Sequence, residues 1–358
     1  MSLIYYISVT DAPNKIIEKV GHYTTWEGDL TDVVVGNIAG KNFFNSLPDN
    51  KIKEHCQIIT EQTKQDLDNL AQVYAEHNVN VFRPKIINHE PCIKTCNDVK
   101  VLNPRPNISP FDHIFCRDNK IVLTWCDMIR FEDLESIQHI LDMLSPDIDV
   151  VSVRPPKDYD QNYYDSLTDK DWPGNRDIVL DGPTFSPAGK HIFYSKMQIC
   201  SQKGIDFMMA QFPTAEFVGL DEPIYNHLDA QFRILKEGHV ISCHPKNVLL
   251  DLMPQFAKWE IYHDDSWQMQ KRNITENTPM SYWLDDDENI ALADIAIVHI
   301  NPKLVVIQRE NANLCKALEK AKVDWLHTPI KYDQYFGLAT SCATAILHRT
   351  DQCIDYFS

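Results

Sequence analysis

The segment Tyr225 to Leu235 contains the most informative short pattern in the sequence, His227-Leu228-Asp229. On a β-strand, residues two apart face the same side, so His227 and Asp229 would enter one cavity while Leu228 packs the other way. A proton carrier would then lie beside a carboxylate able to bind a cation. The ordinary alternative is a surface strand that carries an incidental His/Asp pair.

Two further positions have residues suited to chemistry. Asp181 follows an apolar run and precedes Gly182-Pro183, where a carboxylate either enters a site or caps the turn through backbone N-H groups. Cys342 follows Gly337 within a run of small residues, which would let a substrate approach its thiol. A buried, unreactive cysteine is the alternative interpretation.

The fourth place is Arg117-Asp118, at the turn of a predicted hairpin, where Asp118 could bind a substrate cation or pair with its neighbours. Together with Asp181, His227, Asp229 and Cys342 it completes a set that could add a nucleophile to a guanidinium carbon. Carboxylates would bind the N-H groups in bidentate fashion, a thiolate would attack, and the histidine would pass a proton to the leaving amine.

The elements that must position these residues recur along the chain. A β segment at Asp29 to Ala39, a helix at Lys64 to Asn80 and an extended Val79 to Pro84 form a unit. The order strand, turn, strand, helix, strand then recurs at Phe111 to Val153, Ile178 to Val218, His227 to Tyr262 and Ile290 to Trp325. Polar residues near the first strand of successive units lie 48 to 65 residues apart, at Asp118, Asp181, Asp229, Asp294 and Cys342. This spacing favours radial packing of repeats, with an ordinary α/β protein as the alternative.

The composition excludes several classes of protein. The 358 residues include 34 basic and 51 acidic side chains, a formal net charge of -17, and 44% are hydrophobic. An acidic chain without a basic cluster lacks the patch that nucleic acid or an anionic membrane requires, and the apolar content is enough for a large core. The acidic excess belongs to a soluble surface, or part of it lines a site for a cationic substrate.

Cysteine usage and hydropathy indicate a cytoplasmic protein without a metal site. The ten cysteines are scattered, the start of the chain lacks a basic flank, and the apolar run Ala291 to Ile300 contains Asp294 and His299. Cys92/Cys96 and Cys116/Cys126 do not have the spacing of zinc ligands. We therefore expect reduced thiols, no membrane span and no structural metal.

The ordered set of motifs resembles the amidinotransferase family, most nearly the arginine:glycine amidinotransferases, from about Trp26 to the C-terminus. The segments that carry the resemblance are Trp26 to Gly36, Arg117-Asp118, Leu180 to Phe193, His227 to Ala230 followed by Phe232, and Cys342. The His-x-Asp-Ala block is the most specific motif. The order Asp, Asp, His-x-Asp, Cys along the chain is stronger evidence for the resemblance than any single motif.

The resemblance implies an α/β fold, a five-bladed α/β propeller of ββαβ modules with pseudo-fivefold symmetry, formed by one catalytic domain over residues 1-358. It implies a triad of Cys342, His227 and Asp181, with substrate contacts from Asp118, Asp229, Arg117, Thr184 and Ser341. The activity implied is transfer of the amidino group of arginine to an acceptor amine through an amidino-cysteine, with release of ornithine and no metal or organic cofactor. With glycine as acceptor the product would be guanidinoacetate.

Three departures from the family pattern concern the walls of the pocket. Leu338 to Ser341 replace the usual Gly-rich stretch and histidine before the cysteine, Thr184 stands where a second aspartate is common, and Ala293 to Ala296 lack the expected Ser-x-Asn pattern. The acceptor, and also the donor, could therefore differ from glycine and arginine.

Two other functions stay open from the sequence. One is a hydrolase resembling arginine deiminase, which would give citrulline, and the other is a guanidino-binding protein without turnover. The expected partners are small molecules, namely arginine and an amine, with no nucleic acid and no membrane. A homodimer is compatible with the sequence.

Overall fold

The computed structural model describes residues 16–38, 44–45, 47, 50–86, 92–96, 99–103, 108–124, 133–153, 178, 180–195, 200–220, 227–264, 267, 270–271, 289–290, 295–333 and 338–358. The predicted position of Asp294 lies outside these residues. No helix within the described ranges is both long enough and apolar enough to cross a membrane.

One sheet is built from both ends of the chain. β1 (Leu30–Val35) is parallel to β2 (Asn80–Phe82), and α1 (Asn50–Glu76) connects them. The last strand, β19 (Thr344–Arg349), pairs antiparallel with β1. The unit expected from residues 29 to 84 is therefore completed by the C-terminal strand. Its helix begins at Asn50 rather than Lys64 and ends at Glu76 rather than Asn80.

Four further sheets repeat this topology within continuous segments. In each, an antiparallel hairpin is followed by a helix and by a third strand parallel to the second. Two further antiparallel strand pairs, β3 (Cys92–Cys96) with β4 (Val99–Asn103) and β14 (Gln270–Lys271) with β15 (Asn289–Ile290), lie outside the modules. The four modules are β5 (Ile114–Arg117), β6 (Lys120–Leu123), α2 (Asp133–Leu141), β7 (Asp149–Ser152); β8 (Phe185–Ala188), β9 (His191–Ser195), α3 (Gln202–Gln211), β10 (Glu216–Leu220); β11 (Phe232–Lys236), β12 (His239–Ser242), α4 (Lys246–Leu252), β13 (Glu260–His263); and β16 (Val298–Asn301), β17 (Leu304–Ile307), α5 (Ala312–Ala321), β18 (Asp324–His327).

Five separate three-stranded sheets of one topology confirm the propeller of ββαβ modules. The alternative of an ordinary α/β protein is wrong, because the described strands do not join into one continuous sheet. That residues 1-358 form a single catalytic domain stays a prediction.

Each module buries the apolar face of its helix against its own sheet and the neighbouring module. On α1, Leu67, Leu70, Ala71 and Tyr74 are fully buried, as their i, i+3, i+4 and i+7 spacing predicts. On α5, the Asn311 side chain caps the first turn by accepting hydrogen bonds from the backbone N-H groups of Asn313 and Leu314. These local signals explain why the repeat is visible in the sequence.

The two ends of each first strand have different local structures. A short 3₁₀ turn precedes β5 at Pro110–His113, β8 at Gly182–Thr184 and β11 at Leu228–Ala230. The opposite end enters a hairpin turn, formed in the β5–β6 hairpin by Asp118 and Asn119 with φ of 54° and 57°. Residues before a first strand are thus separated from hairpin residues by the length of the strand.

The N-terminal segment Gly21 to Thr24 crosses the hairpin end of the modules. The Gly21 N-H donates to the Leu347 carbonyl at 2.6 Å, and the Gly189 N-H donates to the Tyr23 carbonyl at 2.7 Å. The Asp351 carboxylate accepts from the N-H groups of Tyr23 and Thr24, at 2.9 and 2.6 Å. These bonds join the segment Gly21 to Thr24 to β19, to Asp351 and to the hairpin turn of the β8 module.

Candidate active site

Four of the modules bring a polar side chain to the same end of the propeller, at or next to the turn that precedes the first strand. Asp181, Asp229 and Cys342 occupy this position in their modules, and Asp112 occupies it before β5. The turn before β8 contacts the turns before β5 and β11, and β19 contacts the turn before β5. Residues that are far apart in the sequence therefore meet at the propeller axis.

His227 and Asp181 form a direct pair. His227 Nε2 lies 2.9 Å from Asp181 Oδ2, Asp181 is buried, and 26% of the His227 side chain is exposed. His227 has extended backbone and immediately precedes the turn Leu228–Ala230. Because the carboxylate binds Nε2, the other ring nitrogen, Nδ1, is left for the reacting groups.

Cys342 lies beside His227 and Asp112. The Cys342 thiol lies next to the His227 ring and interacts with it. One donor atom from each of Asp112, His227 and Cys342 lies within 4.8 Å of the other two. Cys342 and Asp112 are buried, so the thiol sits in a water-poor site with the histidine on its accessible side.

The carboxylates around this pair favour the charged form of His227 and the neutral form of Cys342. Burial opposes the charge of His227, yet Asp181, Cys342 and Asp112 together raise the pKa of His227 well above its usual range. Burial raises the pKa of the Cys342 thiol, the hydrogen bond from His227 lowers it, and Asp229 and Asp112 raise it further. The substrate-free site therefore holds a proton on His227 and favours the thiol form of Cys342.

Asp229 is held by two side chains. Ser341 Oγ donates to Asp229 Oδ2 at 2.5 Å, and Arg233 Nη2 lies 3.4 Å from the same oxygen. Burial lowers the pKa of Arg233, whereas Asp229 and Cys342 raise it, which is the behaviour of a buried counter-ion. Both contacts end on Oδ2, so Asp229 Oδ1 can be directed at a ligand.

The structure places Arg117 and Asp118 elsewhere, which corrects their assignment to the substrate site. Asp118 lies in the hairpin turn with 37% of its side chain exposed, and its Oδ1 accepts a hydrogen bond from Tyr23 Oη at 2.7 Å. Arg117 donates to the Gly189 carbonyl at 2.9 Å and lies over the Tyr23 ring. Both residues stabilise the hairpin end of β5, a strand length away from Cys342.

Two residues of the site were not found in the sequence. Asp112 precedes β5 just as Asp229 precedes β11, and the signal was an aspartate in a short Pro-containing turn before an apolar strand. Arg233 gave no signal, because a single basic residue in a strand has no characteristic pattern. Of the other predicted residues, Ser341 contacts Asp229, and Thr184 is buried in the turn that follows Asp181.

Comparison with solved structures gives extensive matches. The inosamine-phosphate amidinotransferase StrB1 of Streptomyces griseus matches with a TM-score of 0.71 and 17% identity, over 95% of this chain and 99% of that one. SxtG, an amidinotransferase of Microseira wollei in the saxitoxin pathway, matches with a TM-score of 0.67 and 15% identity, over 94% and 99%. DDAH of Pseudomonas aeruginosa, complexed with citrulline, matches with a TM-score of 0.57 and 10% identity, over 89% and 100%.

No protein-family model matches the chain, and no curated protein matches it significantly. At these low identities the structural matches show the fold. They confirm that this chain has the α/β-propeller fold of the amidinotransferases, as the resemblance in sequence implied.

Proposed function

We propose that the protein is an amidinotransferase that moves the amidino group of arginine to an acceptor amine. The observation that carries this proposal is the contiguous series Asp181, His227 and Cys342, formed by three different modules, with Asp112 and Asp229 beside it. A thiol, a proton carrier and carboxylates around one cavity are the groups that attack on a guanidinium carbon requires. The likeness in fold to StrB1 and SxtG supports the same reaction class.

The carboxylates provide recognition of the donor. Asp112 has an oxygen within 4.8 Å of Cys342 Sγ, and Asp229 accepts a hydrogen bond from Ser341, the residue before Cys342. In the proposed complex they accept hydrogen bonds from the guanidinium N-H groups and place the central carbon at Cys342 Sγ. Asp118 has no part in this contact, because it lies at the hairpin end of β5.

Substrate binding also prepares the nucleophile. The negative charges of Asp229 and Asp112 raise the pKa of Cys342 in the empty site. A guanidinium cation bound between them offsets those charges, so the pKa of the thiol falls when the donor arrives. The thiol then loses its proton to solvent, and the thiolate forms next to the carbon that it attacks.

The first half-reaction breaks one C-N bond. Cys342 Sγ bonds to the guanidinium carbon, the protonated His227 gives its proton to the departing nitrogen, and ornithine leaves as a neutral amine. The amidino group stays on Cys342. Asp181, bound to Nε2, keeps the imidazole oriented through both steps.

The second half-reaction reverses the first with a new amine. The acceptor attacks the amidino carbon, His227 takes the proton from the acceptor nitrogen, and the C-S bond breaks to return the thiolate. None of these steps needs a metal or an organic cofactor. Glycine is the first acceptor to test, with guanidinoacetate as product, followed by an amino-cyclitol phosphate such as the one in the name of StrB1.

Hydrolysis of arginine is the second candidate, favoured by the likeness in fold to DDAH complexed with citrulline. In that reaction ammonia leaves first, and water then releases citrulline. An assay with arginine and a panel of amines separates the two functions. Ornithine formation that depends on the amine supports transfer, whereas ammonia and citrulline in equal amounts without an amine support hydrolysis.

A further inference from the structure

Asp112, His227 and Cys342 form a compact set of metal donors of three different types. A carboxylate oxygen, a ring nitrogen and the thiol sulfur all lie within 4.8 Å of one another. Asp112 and Cys342 are buried, while His227 is partly exposed on the accessible side. Since the three residues come from three modules, their spacing in the sequence has none of the regularity of a zinc motif.

The donor types and their separation suit zinc. Zn²⁺ binds sulfur at about 2.3 Å and nitrogen or oxygen at about 2.0–2.2 Å, so tetrahedral donors lie about 3.3–3.6 Å apart. The observed limit of 4.8 Å leaves roughly 1 Å of side-chain movement to close the site. A thiolate with an imidazole selects zinc over magnesium or calcium, which prefer sites made only of oxygen. Three protein donors leave the fourth position for water.

The surroundings of the three donors are also those of a zinc site. Asp181 Oδ2 lies 2.9 Å from His227 Nε2, which fixes the ring so that Nδ1 binds a metal once it has lost its proton. The negative charge of Asp229 lies near Cys342, and Arg233 partly balances it. The site thus attracts cations and holds its histidine in a ligand orientation before any ion arrives.

We propose that Asp112, His227 and Cys342 bind Zn²⁺ in the substrate-free protein, and that the bound ion blocks the nucleophile. Binding forms Zn-S, Zn-N and Zn-O bonds and releases the thiol proton, together with the proton of Nδ1 where it is present. The binding itself follows from the donor geometry alone, and the inhibitory consequence rests on the proposed function. The proposal departs from the expectation, drawn from cysteine spacing, that the chain has no metal site.

Cobalt substitution tests the binding directly, without an assay of turnover. Co²⁺ added to the full-length protein should give the near-ultraviolet charge-transfer absorption of a thiolate-bound ion, and Zn²⁺ should displace it at one equivalent. Cys342→Ser should abolish the band, whereas Cys353→Ser, which changes an exposed thiol, should leave it unchanged. Asp181→Asn, which changes the partner of His227, should weaken Zn²⁺ binding about 10–100-fold.

A second measurement guards against a misfolded variant. In the native protein, one equivalent of Zn²⁺ should protect Cys342 from alkylation by iodoacetamide, as read by mass spectrometry of its peptide, while Cys353 stays reactive. No charge-transfer band, a band that persists in Cys342→Ser, or unprotected Cys342 would overturn the proposal. If Zn²⁺ binds and excess arginine does not displace it, the metal site holds and the proposed arginine site is contradicted.

Discussion

His227 Nε2 and Asp181 Oδ2 lie 2.9 Å apart although 46 residues separate them in the chain. One residue precedes β11 and the other precedes β8, so the propeller itself creates the pair. The contact orients the imidazole and raises the pKa of His227, which keeps the ring protonated; in the proposed reaction this proton goes to the departing amine. The carboxylate therefore acts on the chemistry through His227.

Replacing Asp181 by asparagine should lower kcat by about 10²–10⁴-fold, the usual contribution of general acid–base catalysis. Loss of the carboxylate also lowers the pKa of His227, because Asp181 is the largest of the influences that raise it. The basic limb of the pH profile of kcat/KM should move to lower pH, since His227 then loses its proton earlier. An unchanged basic limb would contradict the assigned role of Asp181.

Replacing Asp112 or Asp229 by asparagine should weaken the binding of arginine and make the Cys342 thiol more reactive. KM for arginine should rise roughly 10- to 100-fold, the value of one or two charged hydrogen bonds. The pKa of Cys342 should fall, because both carboxylates raise it, so the free enzyme's thiol should be alkylated faster at neutral pH than in the native protein. The pH dependence of the iodoacetamide rate at Cys342 measures the second effect.

Asp118→Asn is the matched control for these variants. Asparagine tolerates the positive φ of the hairpin turn, so the change should keep the fold. Because Asp118 lies at the opposite end of β5, KM and the alkylation rate should both stay at native values. A rise in KM comparable to that of Asp112→Asn would indicate that Asp118 contacts the substrate and would contradict its assignment to the hairpin end of β5 alone.

Arg233→Met should destabilise the protein by about 3–5 kcal/mol, because it leaves the buried Asp229 without its counter-ion. Lys64→Met supplies a control of the same i, i+4 spacing. Lys64 and Asp68 are exposed, with 38% and 47% of their side chains accessible, so that change should cost only about 0–1 kcal/mol. Urea unfolding measures both, and equal losses would contradict the role of Arg233.

Gly28→Ala tests the close packing of Gly28 against the backbone of Asp351. Gly28 has φ of 69°, and a Cβ there would lie 2.6 Å from the backbone nitrogen of Asp351. Gly238 has φ of 80° with no atom within 4 Å of such a Cβ, so Gly238→Ala reports the conformational strain alone, about 1–2 kcal/mol. The melting temperature should fall further for Gly28→Ala, and equal shifts would show that the termini adapt freely.

The sequence predicted the repeating modules because each carries its own local signals, namely apolar strands, polar turns and an amphipathic helix. It also drew attention to Asp181, His227, Asp229 and Cys342, which lie at or next to the starts of first strands, and the roles assigned to them stay predictions. In the β5 module the sequence pointed to Asp118, whereas Asp112, at the other end of the same short strand, is the carboxylate that lies near Cys342. Only the packed modules show which end of that strand faces Cys342.

Long-range contacts account for what the sequence could not show. The pairing of β1 with β19 joins residues more than 300 positions apart, and no local pattern specifies it. Likewise, the contact between Arg233 and Asp229 depends on burial, which a lone arginine in a strand does not reveal. Asp112, His227 and Cys342 meet for the same reason, through the packing of three modules.

The most direct test of the central claim is mass spectrometry of the Cys342 peptide after rapid mixing of the protein with arginine and acid quenching. The transfer mechanism predicts a mass increase of one amidino group on Cys342, an equal amount of ornithine, and loss of the adduct when an acceptor amine is added. Cys342→Ala should give neither adduct nor ornithine. An adduct that retains the whole arginine carbon skeleton, with release of ammonia, or ornithine formation without any adduct on Cys342, would contradict it.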